Sequence, residues 1–228
     1  MFLHSPMPSA SSPIHEDQPV LTYGAPLDTA RYALILLHGR GATAQGMLSL
    51  ADALDTSNVA VLAPQAHRRT WYPQSFMAPR DANEPYLTSA LHTVDRLVAR
   101  ATADRPAARV VLLGFSQGAC LSLEYAARHP QRYGGVVGLS GGLIGPPDAD
   151  LHHDGSLDGT PVFMGCSDDD PHIPAERVHA SAEALRTMEA AVELRIYPGL
   201  GHTTNDDELS YVRSLFDETQ AAGASASE

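Results

Sequence analysis

The chain has 228 residues and a formal net charge of −12, from 15 basic and 27 acidic side chains. Its hydrophobic content of 43% is enough for a core and argues against a disordered chain. The negative charge disfavours nucleic acid and anionic membrane surfaces as partners. No apolar run approaches the roughly 20 residues that cross a bilayer. We therefore expect a globular protein whose partner is a small molecule. Formation of a homodimer is possible.

The two ends of the chain differ in composition from its middle. Residues 1–19 are rich in Pro, Ser and His and lack the basic start and apolar core of a secretory signal, which predicts a flexible lead-in. We expect a single domain over residues 20–220 and a disordered tail over 221–228. Cys120 and Cys166 are too few for a disulfide framework. We expect both to be reduced, which favours a cytoplasmic protein.

Strand and helix patterns alternate along the chain. Apolar, β-branched runs predict strands at residues 20–23, 32–37, 59–62, 110–115, 135–139, 162–164 and 192–197. Helical patterns lie between most of them, at residues 44–54, 85–103, 117–128, 174–190 and 206–219. This alternation predicts an α/β fold with a mainly parallel central sheet and helices on both faces. Ligands bind at the carboxyl ends of the strands in such sheets.

The most informative motif is Gly-Phe-Ser-Gln-Gly at residues 114–118, between a predicted strand and a predicted helix. A serine at such a turn, with glycine two residues away on each side, is typical of the nucleophile elbow of α/β-hydrolases. A glycine-rich turn with a capping serine is the alternative. The strand before the motif and the helix after it favour the elbow, so Ser116 is the candidate nucleophile.

A serine nucleophile needs a histidine base, and a carboxylate that orients the histidine. In α/β-hydrolases the chain order is serine, acid, histidine. His202 follows the last predicted strand, in Gly-Leu-Gly-His, and is the candidate base; a histidine in a surface loop is the alternative.

The acid should follow the strand at 162–164, where Asp168, Asp169 and Asp170 are adjacent. Counting from Gly165 favours Asp168. The string Asp-Pro-His-Ile-Pro favours Asp170, because Asp-Pro starts a turn and a proline can open the next helix. We prefer Asp170 and leave Asp168 open. A solvated acidic loop is the alternative for the cluster, and a calcium loop lacks its spaced ligands.

An acyl-transfer site also needs backbone donors for the oxyanion. One is expected after the nucleophile, at the N–H of Gln117, and another in an early loop. The string Leu-His-Gly-Arg-Gly at 37–41 follows a predicted strand, so we assign the second donor to the N–H of Arg40. We expect the Arg40 side chain to face solvent, with an acidic acyl group as the alternative partner.

With these residues in hand, the chain resembles the phospholipase/carboxylesterase family, which includes the acyl-protein thioesterases. The motifs that carry the resemblance lie at residues 37–41, 71–76, 114–119, 139–142, 170–174 and 201–202. The resemblance implies an α/β-hydrolase without a large cap domain. It also implies hydrolysis of ester or thioester bonds with no cofactor and no metal, and it favours Asp170 as the acid.

The resemblance sets the expected substrate as well. Arg40 stands where lipid-active members of the family tend to carry an apolar residue, so we expect a carboxylesterase for small soluble esters. A lysophospholipase or acyl-protein thioesterase for long acyl chains is one alternative, and a catalytically silent binding module is another. Trp71, Tyr72 and Phe76 are expected to wall the acyl pocket; for Trp71, a role as core anchor is equally open. Two extra residues between Gly165 and Asp170 depart from the family's pattern.

Overall fold

The protein, described by a computed structural model over residues 14–54 and 57–217, is built on one seven-stranded sheet. The order across the sheet is β1-β3-β2-β4-β5-β6-β7. Only β1 is antiparallel to its neighbour. The strands are β1 (Val20–Gly24), β2 (Tyr32–Leu37), β3 (Val59–Pro64), β4 (Val110–Phe115), β5 (Gly135–Leu139), β6 (Pro161–Ser167) and β7 (Ala191–Tyr197). All seven predicted strands and the mainly parallel sheet are confirmed.

Helices cover both faces of the sheet, as predicted. They are α1 (Ala44–Asp52), α2 (Tyr86–Thr102), α3 (Gln117–Arg128), α4 (Ala175–Thr187) and α5 (Asp206–Ser214). One core cluster joins α2, α3 and α4 to one face, and a second joins α1 and α5 to the other. Along β2, Ala33, Ile35 and Leu37 belong to the first cluster and the residues between them to the second. This alternation follows from the two-residue period of a strand.

Apart from the hydroxyl of Tyr32, strands β2, β3 and β4 carry no polar side chains, because both faces of these strands are covered. Every residue of β2 and β3 is buried, and so are the first five of β4. The polar residues of interest begin where these strands end, at the shared carboxyl edge. Within the described residues no inserted domain covers that edge, and no helix there is both long and apolar enough to cross a membrane.

The start of the described chain corrects one prediction. Residues 14–19 were expected to belong to a flexible lead-in, yet His15 is 1% exposed. Its backbone N–H donates to Ser89 Oγ at 3.1 Å, and its Nδ1 accepts the N–H of His67 at 3.0 Å. These bonds hold the segment to α2 and to the loop after β3. Residues 1–13 and the predicted tail at 221–228 lie outside the described residues.

Candidate active site

Ser116 lies on a sharp turn between β4 and α3 with a strained backbone. Its φ is 55° and its ψ is −116°, a region that residues with a side chain rarely occupy. A Cβ at Gly114 would approach the backbone of Gly118 to 2.1 Å, and a Cβ at Gly118 would approach Leu37 O to 2.2 Å. Both glycines are therefore required by close backbone contact, as the sequence predicts for an elbow.

Ser116, His202 and Asp170 form a continuous hydrogen-bonded chain. His202 Nε2 lies 2.9 Å from Ser116 Oγ, and His202 Nδ1 lies 2.7 Å from Asp170 Oδ2. The three residues come from the ends of β4, β6 and β7, so the sheet brings together groups that are 86 and 32 positions apart. This is the geometry that a serine nucleophile needs for activation by a base.

The Asp170 carboxylate is held in its ionised form. Its side chain has no exposed surface, and burial alone raises its pKa. Hydrogen bonds from His202 and from the backbone N–H groups of His172 and Ile173 outweigh burial, so the pKa of Asp170 lies below its ordinary value. A carboxylate in this state can fix the imidazole tautomer and stabilise an imidazolium.

The other two aspartates of the cluster bind residues 199–202, the histidine loop, instead. Asp168 Oδ1 accepts the N–H of Gly199 at 2.9 Å, and Asp169 Oδ1 accepts the N–H of Gly201 at 3.1 Å. Ser167 Oγ accepts the same Gly201 N–H at 2.9 Å. Only Asp170 contacts His202, which favours it over Asp168 as the acid. The sequence offered Asp169 only as one of three adjacent candidates for the acid, and it did not point to a role for Ser167.

The region expected to bind the oxyanion lies against the elbow. A Cβ at Gly39 would come within 3.4 Å of Ser116 Cβ, so the segment that carries Arg40 packs on the nucleophile turn. Among the residues that the structure describes, the backbone N–H groups of Arg40 and Gln117 have no acceptor. Both N–H groups are therefore available to a ligand bound next to Ser116.

A cavity of about 530 Å³ opens at Ser116 and His202. Tyr72 and Phe76 line it, as expected. Trp71 does not: it is completely buried, and its indole N–H donates to His38 O at 2.8 Å. The expected place of Trp71 in the pocket wall is therefore corrected. It anchors the segment from behind, in the core.

The sequence pattern of the phospholipase/carboxylesterase family matches residues 24–219. The chain belongs to this family. The match covers every strand except part of β1 and every residue of the candidate site. The resemblance inferred from the motifs and the α/β-hydrolase fold are thereby confirmed.

Three relatives illustrate how close the similarity is. Acyl-protein thioesterase 1 of Saccharomyces cerevisiae is 27% identical over 223 residues, 86% of this chain and 96% of that protein. Acyl-protein thioesterase 1 of Gibberella zeae is 36% identical over 116 residues, but that match spans only 47% of this chain and 46% of that protein. The crystal structure of a phospholipase/carboxylesterase from Dyadobacter fermentans has a TM-score of 0.84 and 42% identity, covering 88% of this chain and 97% of the other.

In this family member the segment 71–76, the aromatic loop, is held by side chains rather than by secondary structure. Gln117 Oε1 accepts the N–H of Trp71 at 2.9 Å, and Gln117 Nε2 donates to the carbonyl of Tyr72 at 2.8 Å. Gln117 thus ties the loop to the first turn of α3, beside the nucleophile. The sequence pointed to the backbone of Gln117 but not to its side chain.

Two further side chains complete the attachment of the aromatic loop. Arg40 Nη1 donates to Pro73 O at 2.7 Å, and Arg40 Nη2 donates to Gln74 O. The side chain was expected to face solvent; it is exposed, but it binds the loop. Asn83, which is completely buried, accepts the N–H of Gln74 at 2.8 Å and donates to Ser75 O at 3.0 Å. No motif of the sequence indicated Asn83.

Proposed function

We propose that the protein is a serine hydrolase that cleaves carboxylic esters of small soluble substrates through an acyl-enzyme intermediate. The observation that carries the proposal is the hydrogen-bonded chain from Ser116 through His202 to Asp170 at the mouth of the cavity. Membership of a family of esterases and thioesterases supports the same reaction class.

The proposed mechanism assigns one role to each residue of the chain. Ser116 Oγ attacks the substrate carbonyl while His202 Nε2 takes its proton. Asp170 holds His202 and stabilises the imidazolium that forms. His202 then returns the proton to the leaving alcohol. Water attacks the acyl-enzyme through the same base, which releases the acid and restores Ser116.

The oxyanion of each tetrahedral intermediate would accept hydrogen bonds from the backbone N–H groups of Arg40 and Gln117. Both donors are free of protein acceptors among the described residues. Each lies in a segment fixed by other bonds, because Arg40 binds the aromatic loop and Gln117 begins α3. Donors that do not need to reorganise during the reaction stabilise the developing charge most effectively.

The cavity supports a small substrate. A volume of about 530 Å³ lies within the usual range for small-molecule sites. Part of the wall is polar: Arg40, Gln74 and Ser75 border it beside the aromatic rings. A long acyl chain favours a continuous apolar wall, so these residues favour short acyl groups.

Acyl-protein thioesterase activity is the second candidate, because four curated relatives carry that name. The proposed triad serves thioesters as well as oxyesters, since both react through an acyl-serine. A lysophospholipase would belong to the same group of long-chain enzymes. The two candidates differ in the acyl length that the cavity accepts and not in the chemistry at Ser116.

The test is hydrolysis of p-nitrophenyl esters of increasing acyl length by the wild type and by Ser116→Ala. We expect kcat/KM to be largest for short chains and kcat of the variant to fall by several orders of magnitude. Cleavage of long chains alone would instead favour the thioesterase or lysophospholipase. Full activity in Ser116→Ala would contradict the mechanism. A wild type that cleaves no ester and does not react with a fluorophosphonate would favour a silent binding module.

We also propose a cytoplasmic location. It is supported by Cys120 and Cys166, which are both buried and form no disulfide with each other. The expected partner is the small ester itself, without nucleic acid or membrane, and a homodimer remains an open prediction. Sedimentation of the full chain with and without a DNA duplex or anionic vesicles tests these expectations.

A further inference from the structure

The side chain of Arg40 places a positive charge at the wall of the cavity, and the proposed mechanism does not use this charge. Arg40 is exposed and lines the cavity. Pro73 and Gln74, whose carbonyls accept hydrogen bonds from its guanidinium, line the cavity as well. The charge also acts on the hydroxyl of Tyr72, another residue of the wall. A ligand in the cavity can therefore reach a cation that the aromatic loop holds in place.

The charge of Arg40 has no negative partner in the part of the chain that the structure describes. No carboxylate there forms an ion pair with Arg40, and none of the described residues that line the cavity is an aspartate or a glutamate. Asp168 and Asp169 bind the histidine loop instead. By contrast, Arg195 on β7 pairs with two carboxylates. The wall of the cavity thus carries a positive charge that the protein leaves uncompensated.

The guanidinium of Arg40 also keeps donors for a ligand. Its bonds to the two carbonyls use one N–H on Nη1 and one on Nη2. The other N–H groups of the guanidinium have no acceptor among the described residues. Neighbouring N–H groups of a guanidinium bind a carboxylate through both of its oxygens. A side chain that the loop already holds in place loses little conformational freedom when it binds a ligand.

We propose that the substrate is a short ester that carries a carboxylate, and that the guanidinium of Arg40 binds this carboxylate. This inference rests on the proposed esterase function and narrows its substrate class. The net charge of −12 does not oppose it, because exposed charges are screened beyond about 8 Å at physiological ionic strength, whereas Arg40 would contact the carboxylate directly. Both halves of an ester at Ser116 border the cavity, so a carboxylate in the acyl group and one in the alcohol are tested separately.

The experiment compares esters in which a carboxylate is replaced by the neutral amide of the same shape. Monomethyl succinate and methyl succinamate carry the group in the acyl half, and acetoxyacetate and acetoxyacetamide carry it in the alcohol half. Titration of the released acid measures kcat/KM for the wild type, Arg40→Gln and Arg40→Lys. We expect the ratio of kcat/KM for the carboxylate ester to that for the amide ester to fall about tenfold in Arg40→Gln for at least one pair. In Arg40→Lys the ratio should stay higher, because the positive charge remains.

The matched control is Arg69→Gln, which removes the same charge close to the cavity but outside it. Arg69 is exposed and is not among the residues that line the cavity, although its carbonyl accepts the N–H of Gly41, next to Arg40. We expect the ratio in Arg69→Gln to equal that of the wild type. An equal fall in Arg69→Gln and Arg40→Gln would mean that the ratio responds to charge at a distance, which overturns the inference. Intrinsic reactivity of the esters is the same for every enzyme and cancels.

The outcomes separate this inference from the function on which it rests. If the ratio is the same in Arg40→Gln and the wild type for both pairs, or if the wild type cleaves only p-nitrophenyl esters, the inference is overturned and the esterase function stands. If the wild type cleaves no ester at all, both fail. A ratio as low in Arg40→Lys as in Arg40→Gln would show that the charge is not recognised and also overturns the inference.

A general loosening of the aromatic loop does not imitate the expected result. It would lower kcat/KM for both esters of a pair and leave their ratio unchanged. If Arg40→Gln does not fold, the wild type alone decides. Its ratio should fall as added NaCl screens the exposed charge of Arg40, and a ratio that does not depend on salt overturns the inference.

Discussion

Two irregular segments border the cavity, and different chemistry holds each of them. The aromatic loop, residues 71–76, is bound by the amides of Gln117 and Asn83 and by the guanidinium of Arg40. The histidine loop, residues 199–202, is bound by the carboxylates of Asp168 and Asp169 and by a serine hydroxyl. The first set of groups keeps its charge over the whole range in which proteins are stable. The second set includes Asp169, whose carboxylate loses its charge at acidic pH.

This difference assigns acid sensitivity to one side of the site. Bonds from the Ser167 hydroxyl and the Gly201 N–H keep the pKa of Asp169 below its ordinary value, and the pKa of Asp170 is lowered as well. The stability that such carboxylates contribute is present above their unfolded pKa, about 4, and is lost as pH falls through the folded pKa. Below about pH 4 the histidine loop should therefore loosen before the aromatic loop.

The largest expected effect comes from breaking the bond between the histidine loop and the buried acid. Asp170→Asn should lower kcat by about 10³- to 10⁴-fold, because a neutral amide neither fixes the imidazole tautomer nor stabilises the imidazolium. The measurement is the steady-state hydrolysis of a short p-nitrophenyl ester. Asp168→Asn is the matched comparison, because it makes the same chemical change two residues earlier on the same turn, at a side chain that does not contact His202. An equal loss in both variants would contradict the assignment of Asp170.

The next effect tests the aromatic loop. Asn83→Ala leaves the N–H of Gln74 and the carbonyl of Ser75 without their partners, and each lost partner costs about 1–3 kcal/mol. We expect the free energy of unfolding to fall by about 4 kcal/mol, with a rise in KM as the wall of the cavity becomes mobile. Chemical denaturation and ester kinetics measure the two changes.

A matched variant shows whether the effect depends on the hydrogen bonds. Asn83→Asp keeps the acceptor for Gln74 but replaces the donor to Ser75 O with a buried charge at neutral pH. Its stability should therefore recover as the carboxyl is protonated, while that of Asn83→Ala should not. The same pH dependence in both variants would mean that Asn83 matters only for its volume.

How far the sequence predicts this molecule depends on the kind of interaction. Continuous apolar, β-branched runs mark the central strands, because both of their faces are buried, and helical patterns mark the segments between most of the strands. Ser116 and His202 were predictable since glycines and chain order mark them. Asp170 could be favoured over Asp168 by its proline, but only the distance to His202 separates the two.

The groups that hold the loops could not be predicted in the same way. The Gln117 side chain meets Trp71 from 46 positions away, and His15 meets Ser89 from 74. The sequence pattern around a polar side chain does not indicate which distant residue it will bind. These contacts are set by how the helices, strands and loops pack. Trp71 illustrates the same limit: its type predicts burial but not whether it faces the cavity or the core.

A third effect concerns the helix that follows the histidine loop. Glu208 is completely buried; its Oε2 accepts the N–H of Asn205, and its Oε1 has no partner among the described residues. Burial raises the pKa of Glu208 to about 7. A carboxyl whose pKa is raised by folding stabilises the protein below its unfolded pKa, about 4.3, and that contribution is lost as pH rises towards 7.

Glu208→Gln should remove this dependence of the free energy of unfolding on pH, because the amide stays neutral. The free energy of unfolding of the wild type should fall relative to that of the variant by up to about 3 kcal/mol between pH 4 and pH 7. Denaturant unfolding at several pH values measures the difference. Parallel pH profiles for the two proteins would show that Glu208 does not titrate in this range.

The smallest effect sharpens the comparison between the two loops. Asp168 is exposed and makes one hydrogen bond to the histidine loop, whereas completely buried Asn83 makes two to the aromatic loop. Because water can replace an exposed partner, Asp168→Asn should change the free energy of unfolding by less than about 1 kcal/mol and kcat by only a few-fold. Denaturation beside Asn83→Ala measures the contrast. A loss as large as that of Asn83→Ala would mean that a single exposed carboxylate fixes the histidine loop, and that the two loops do not differ in how firmly they are held.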